Sequence, residues 1–334
     1  MAKAKKLPSG NWRVNLFVNT DPVTGKRVYK SFTAPTKREA EYMAAEYKMG
    51  IQKRTGANMT LHDAMQRYIE SQSALSPSTL RAYAGLAKNA FKGIAHYKLN
   101  DLTQEIIQTE ISLYGKTHSP KTVRNAHGFL SSVLKMFNKD FHLATTLPQK
   151  EKVETYIPTQ EEFQTLLKSI EGTDIEPAVL LAAVGSLRRS EIAALTNDDI
   201  LDNGVRVNKA LVRGTDNKWY IKSTKTTSST RIAPLPEQVV AKLRRYEMGT
   251  LTPAMISKHF SKAVKDAGLP YMRFHALRHY YASVLHAAGV PDKYIMQFGG
   301  WSTDSVLKNV YQHAMRDQTE KESNRVTSVF DKMI

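Results

Sequence analysis

The spacing of apolar residues changes twice along the chain, and no other feature constrains the fold as strongly. From residue 10 to 33 apolar and polar positions alternate around a DPVTG turn, the pattern of a β-hairpin. From Thr60 to about Phe141 the spacing becomes that of amphipathic helices, without convincing strands. Beyond residue 155 the two mix: helices to about 195, strands near 205–212, 218–225 and 230–235, then helices again. One layered architecture does not accommodate all three patterns. The expectation is a multidomain protein: residues 1–57 a three-stranded sheet plus a helix, 58–148 all-α, and 155–334 α+β but mainly helical, ending in a tail helix. A length of 334 residues suits two or three domains.

Local signals support these divisions. A Thr36-to-Glu39 capping box opens the helix behind the hairpin, and Thr159 with Glu162 opens the third domain. Two helices of the middle domain begin alike, with Ser-Pro, then Thr, then Arg: SPSTLRAY and SPKTVRNA. Ser-Pro is a good cap and first turn. Free amides at such a terminus, joined by Thr79 and Arg81 or by Lys121, Thr122 and Arg124, also suit a phosphate. The stretch LATTLPQKEKVETYIPTQ, rich in Thr, Pro and charge, reads as a linker.

Charge narrows the partner. There are 48 Lys and Arg against 31 Asp and Glu, a formal +17, distributed as +8 in residues 1–58, +5 in 59–150 and +4 in 151–334. Such an excess points first to a polyanion, and its concentration in the first half suits nucleic acid. On the first sheet the expected outward face carries Asn11, Arg13, Asn15, Arg27 and Lys30 around Trp12 and Tyr29. The plainer alternative is a solvated basic sheet. With no cysteine, thiolate chemistry and disulfides are excluded. MAKAKKLPSG has no apolar run behind it, and no stretch of about 18 apolar residues occurs, so a cytoplasmic protein without a membrane partner is expected.

No phosphate loop, HExxH pair or acidic metal cluster is visible, so no cofactor or metal is expected. Chemistry must come from side chains in the third domain, where four sets stand out: LRRSE (187–191), STKTTSSTRIAPL (223–235), HALRH (275–279) and GGWSTDSVLKNVYQH (299–313). In this order and spacing they resemble the motifs of the tyrosine recombinases, phage and transposon integrases included. The resemblance extends to 60–145 as a helical core-binding domain and to the first domain as an arm-binding domain.

The resemblance implies Arg188 and Arg278 as the pair gripping the scissile phosphate, a role that suits planar, permanently charged, bidentate donors. It implies His275 in acid-base work. Three residues before Arg278 on a helix, it projects from the same face. Lys225 corresponds to the general acid, with Lys222 its nearest rival. Trp301 stands where many relatives carry a second His; it keeps an N–H donor but exchanges no proton. Glu191 is expected to buttress an arginine. Arg189 and His279 fall outside the motifs. Tyr311 is the expected nucleophile, giving a 3′-phosphotyrosine; Tyr280, Tyr281 and Tyr294 lie nearby but outside the YxH motif. The gap from Trp301 to Tyr311 is one residue longer than in commoner relatives.

The family further implies a site-specific recombinase of a mobile element in a bacterial host, acting on core and arm sites of double-stranded DNA as a tetramer through a Holliday junction. DNA-bending and excision factors would be its accessories, and the tail from Arg316 would pack on a neighbour or in cis. Two other readings stay open: a catalytically silent DNA-binding or architectural protein on the same fold, and a type IB topoisomerase-like enzyme. Against the first stands the intact set of motif residues; against the second, the arm-like first domain.

Overall fold

A computed structural model describes residues 3–20, 26–52, 59–138, 141–150, 155–223, 230–303, 327–328 and 331. Lys225, Tyr311 and almost all of the proposed tail helix lie outside the described residues. The chain forms two compact units, Met1–Lys152 and Val153–Ile334.

The first unit opens with an antiparallel sheet of β1 (Lys5–Lys6), β2 (Trp12–Thr20) and β3 (Arg27–Ala34), in that order, followed by α1 (Lys37–Gln52). Alternation along β2 decides what each face carries: Val14 and Leu16 are buried, while Arg13, Asn15 and Phe17 are exposed. Ala40 and Ala44 of α1 close a small core with Val14 and Ala34. The Thr36 hydroxyl accepts from the Glu39 amide at 3.2 Å and donates to its carboxylate at 3.0 Å, capping α1.

Register corrects the expected outward face. Arg13 pairs with Thr33, Asn15 with Ser31 and Phe17 with Tyr29, whereas Leu16 pairs with Lys30. Lys30 therefore rises from the α1 side, its ammonium 4.2 Å from the centre of the Tyr47 ring. Trp12, half-buried, packs against the same small core. Residues 27 and 30 are an odd number apart, and a strand sends such pairs to opposite faces.

Four helices follow: α2 (Leu61–Ser71), α3 (Pro77–Asn89), α4 (Gln104–Gly115) and α5 (Pro120–Phe137). On α5, Val123, Ala126, Phe129, Leu130, Val133 and Leu134 are buried, a stripe at helical spacing that forms the centre of this core. Ser76 and Ser119 cap α3 and α5, accepting from the Thr79 and Thr122 amides, with Pro at the first turn. The Thr79 and Thr122 hydroxyls lie 3.1 and 3.0 Å from those serines.

The segment read as a linker is held along its first part. Gln108 receives the Thr146 amide at 2.8 Å and returns a bond to the Thr146 carbonyl at 3.2 Å; Gln104 receives Ala144 at 3.1 Å and donates to the His142 carbonyl. Two side-chain amides thus do for this extended chain what a neighbouring strand would do. Arg124 completes the strap through Nε and Nη2 to the Pro148 carbonyl, at 3.1 and 2.7 Å. Its guanidinium is engaged by its own chain.

The second unit contains α6 (Gln160–Ser169), α7 (Glu176–Ala183), α8 (Arg189–Ile192), then β4 (Ile200–Leu201), β5 (Gly204–Val207), β6 (Lys209–Arg213), β7 (Trp219–Ser223) and β8 (Arg231–Pro234), and finally α9 (Glu237–Leu243), α10 (Pro253–Asp266), α11 (Ala276–Ala287) and α12 (Asp292–Gly299). Every residue of α7, EPAVLLAA, is buried, so this helix lies inside the core and not along its surface. The single strand expected over 205–212 is two: β5 joins β4 and β8, while β6 pairs with β7 in a separate ribbon. The alternation of Val205 and Val207 lapses at Asn208 and Lys209, where the strand also changes its pairing partner.

Candidate active site

The site grows from the turn between α7 and α8. Ser186 there holds φ +57, and its backbone is wholly buried. A non-glycine residue in this region is strained, and strain of this kind gathers at functional sites. The turn aims the Ser186 carbonyl at two cations. Arg278 of α11 donates Nη1 to it, and Arg231 of β8 donates Nη2 to it at 3.3 Å.

Arg278 is 1 % exposed, its Cζ 4.1 Å from the centre of the Trp301 ring. Its Nε and Nη2 have no hydrogen-bond partner among the described residues. Burial, then the Arg188 charge, press against its charged form, while Glu191 opposes them. An arginine keeps its proton under such pressure. The unmet demand is left as attraction for an anion that reaches those two donors.

Arg188 stands at the start of α8, one third exposed. Its Nη1 donates to Glu191 at 2.6 Å and its Nη2 to the Gly300 carbonyl at 2.9 Å. Glu191, 3 % exposed, also accepts from the Arg188 amide at 2.9 Å and from Arg231 at 3.0 Å. Burial alone would raise its pKa; the charges of Arg231 and Arg188 outweigh this and hold it below the usual carboxylate value. Glu191 is thus a shared counter-ion of Arg188 and Arg231. Arg231 was missed. Its residue type gave no signal, since a strand arginine is ordinarily solvated; only its burial and its carbonyl partners mark it.

His275 precedes α11 beside Arg278. Partial burial, then the positive charges of His279, Arg278, Arg188 and Arg189, push its imidazole down to about 4, so it is neutral at pH 7 and a weak base as long as those cations stand uncompensated. Arg188 and His275 line an open cleft of about 500 Å³ with Arg189, Ser190, Tyr271 and Arg273. Arg189, which falls outside the motif, therefore faces the same space, with Nη1 on Ser257 at 2.6 Å. Among the described residues no group of His, Asp and Glu is arranged to hold a metal. Lys222, the rival to Lys225, lies on β7.

Of the residues considered for DNA contact, Asn11, Arg13, Asn15 and Arg27 are exposed at the first sheet, Arg81 and Lys121 on their helices, and Lys30 faces α1. Thr79 and Thr122 serve the helix caps.

Arg188 and the neutral His275 face an open basic cleft, with the buried Arg278 close enough to act on both electrostatically, a charge arrangement suited to a phosphodiester. Comparison with known proteins carries this further. A sequence model described as the phage integrase family matches residues 156–318. The chain is 28% identical over 379 residues to a tyrosine recombinase XerC-like protein of Caldanaerobacter subterraneus subsp. tengcongensis, spanning 96% of both. It is 23% identical to the integrase of Mycobacterium phage L5, covering 90% of this chain and 91% of the relative. The Tn1549 transposon integrase, solved with transposon end DNA, superposes with a TM-score of 0.66 at 20% identity over 80% of this chain and 100% of that one. Lambda integrase, solved as a tetramer on a Holliday junction, gives 0.57 at 19% over 92% and 94%. The chain carries a phage integrase family domain over residues 156–318, is similar to tyrosine recombinases along nearly its whole length, and is a site-specific DNA recombinase.

Proposed function

We propose that this recombinase integrates or excises a mobile element by sequential strand exchange through a 3′-phosphotyrosine on Tyr311 and a Holliday junction. The observation that carries the reading is Arg278: a buried guanidinium, stacked on Trp301, with two donors that no described residue satisfies. A scissile phosphate is the ligand whose geometry and charge match. In-line attack gathers charge on the non-bridging oxygens, where Arg278 and Arg188 stabilise it. His275, neutral at pH 7, hydrogen-bonds the phosphate, or accepts the tyrosine proton once the phosphate's negative charge offsets the cations that depress its basicity. Lys225 protonates the departing 5′ oxygen. The phosphotyrosine conserves the bond energy until another 5′ hydroxyl attacks, so no nucleotide cofactor enters.

On this reading residues 1–57 grip arm-type sites, 58–148 the core site beside the cleavage point, and 155–334 cut and rejoin, four copies assembling on two duplexes in the bacterial cytoplasm. Support comes from the exposed Arg13, Asn15, Phe17 and Tyr29 face, from the exposed Arg81 and Lys121, and from the relatives whose structures hold DNA. No described helix is long and apolar enough to cross a membrane.

The test incubates wild type and Tyr311→Phe, without metal, on nicked suicide duplexes taken from candidate ends of the element. A covalent adduct on denaturing gels from wild type alone is expected. Binding by both with no adduct from either, on a verified site, would favour the silent DNA-binding protein.

A further inference from the structure

Arg231 carries no role in the chemistry described above, yet among the described residues its side chain donates to more acceptors than that of either arginine assigned to the phosphate. Its side chain is 5 % exposed, too buried to meet DNA. It donates Nε to the Phe298 carbonyl at 2.9 Å, and Nη2 both to Glu191 at 3.0 Å and to the Ser186 carbonyl at 3.3 Å. These three acceptors are the groups that hold the two phosphate-facing arginines. Ser186 anchors Arg278, Glu191 anchors Arg188, and Phe298 lies two residues before Gly300, whose carbonyl receives Arg188 at 2.9 Å. Gly300 itself sits at φ +65 with Arg231 packed against it: a Cβ there would lie 2.8 Å from Nη1 and 3.0 Å from Cζ. A side chain at 300 would thus displace the guanidinium, besides straining a backbone that favours glycine.

We propose that Arg231 is a positioning residue for recombination. It locks the α7–α8 turn, Glu191 and the end of α12 into one body, so that Arg188 and Arg278 meet the same phosphate without rearranging. Charge sharing is part of the device. Glu191 divides its attraction between Arg231 and Arg188; without Arg231 the full carboxylate charge falls on Arg188 and draws it away from the phosphate. The planar fork matters too, because an ammonium at the same place cannot serve a carboxylate and two separated carbonyls together.

This inference rests on the reading that Arg188 and Arg278 grip the phosphate, and the experiment separates the two. Single-turnover cleavage is measured for wild type, Arg231→Met, Arg231→Lys and Arg188→Met on the suicide duplex giving most wild-type adduct, and on the same duplex with a methylphosphonate at the scissile position. The methylphosphonate lacks the anionic oxygen that the arginines neutralise. Misplacement of a catalytic group by an ångström is enough to slow a reaction about 100-fold. Arg231→Met should therefore cleave the diester about 100-fold more slowly while binding the duplex as tightly as wild type, and lose much less, under ~10-fold, on the methylphosphonate. Arg231→Lys should fall between; it also decides the matter if the Met variant does not fold. Equal losses on both linkages, or wild-type cleavage of the diester by folded Arg231 variants, would overturn the proposal. Wild-type cleavage by Arg188→Met would instead overturn the phosphate-grip reading beneath it.

Discussion

The first sheet and the arginine cluster of the second unit use the same residue type in opposite ways. On the sheet, Arg13 and Arg27 stand exposed, Arg13 steadied by one bond of 3.1 Å to Thr33. In the cluster, Arg231 and Arg278 are buried beside a strained carbonyl, and Arg188 is tied to a buried carboxylate. Exposed cations attract a polyanion at long range, lose little entropy until it arrives, and are screened by salt. Buried ones must be placed in advance, because in a dry site a misaimed charge has no water to compensate it. Attraction tolerates loose geometry; stabilising a transition state does not.

The comparison breaks most sharply at Arg278. Arg278→Met should lower the rate of adduct formation by about 10³-fold, the scale of losing a transition-state donor in an enclosed site. Its melting temperature should stay level or rise, because an apolar side chain relieves a buried cation with unmet donors, a change worth roughly 1–4 kcal/mol when packing is kept. Parallel thermal unfolding and suicide cleavage check both halves. A variant that is inactive only because it unfolds would show that the cluster is ordinary core.

Glu191 sharpens the same contrast from the anionic side. Glu191→Gln leaves Arg231 and Arg188 without their counter-ion and should destabilise the second unit by about 3 kcal/mol. The wild-type carboxylate has a folded pKa below its ordinary 4.5, so its contribution is complete above that value and fades as pH falls through the depressed folded pKa. Acid unfolding of the Gln variant should lack this component. An unchanged acid limb would mean that Glu191 is not a counter-ion in solution.

How much of this could be read beforehand follows the same division. LRRSE, HALRH and GGW stood out through a resemblance of order and spacing, and the structure brings Arg188, Glu191, Arg278 and Trp301 from these motifs into one cluster. Alternation over 10–33 and the stripe on α5 were legible because period reports burial directly. What escaped depends on main-chain partners far away in sequence. Arg231 is defined by the carbonyls of Ser186 and Phe298, the 142–148 strap by the side chains of Gln104 and Gln108, and the β5–β6 break by a change of neighbour. Arg231 lies inside the quoted STKTTSSTRIAPL block, but nothing in that block tells which carbonyls it meets.

Arg13→Ala tests the exposed partner in the comparison. It should weaken arm-type DNA binding and reduce the salt slope of log K by about one, the signature of one lost phosphate contact, while suicide cleavage of core duplexes proceeds unchanged. Fluorescence anisotropy across a salt series reads it. A loss independent of salt would point to base readout instead.

The smallest effect falls on Lys30, which has the charge of the face proposed to meet DNA but stands on the other. Its ammonium over Tyr47 contributes about 0.5–1 kcal/mol, so Lys30→Met should lower the unfolding temperature by about 1–4 °C and leave the salt slope as it was. Arg27→Met, three residues away and solvated, should do the reverse. The two variants remove one positive charge each from a single strand, so net charge cannot distinguish them and only the face can. Equal losses of DNA affinity would mean that the sheet acts as a diffuse basic patch, and that its register has no part in recognition.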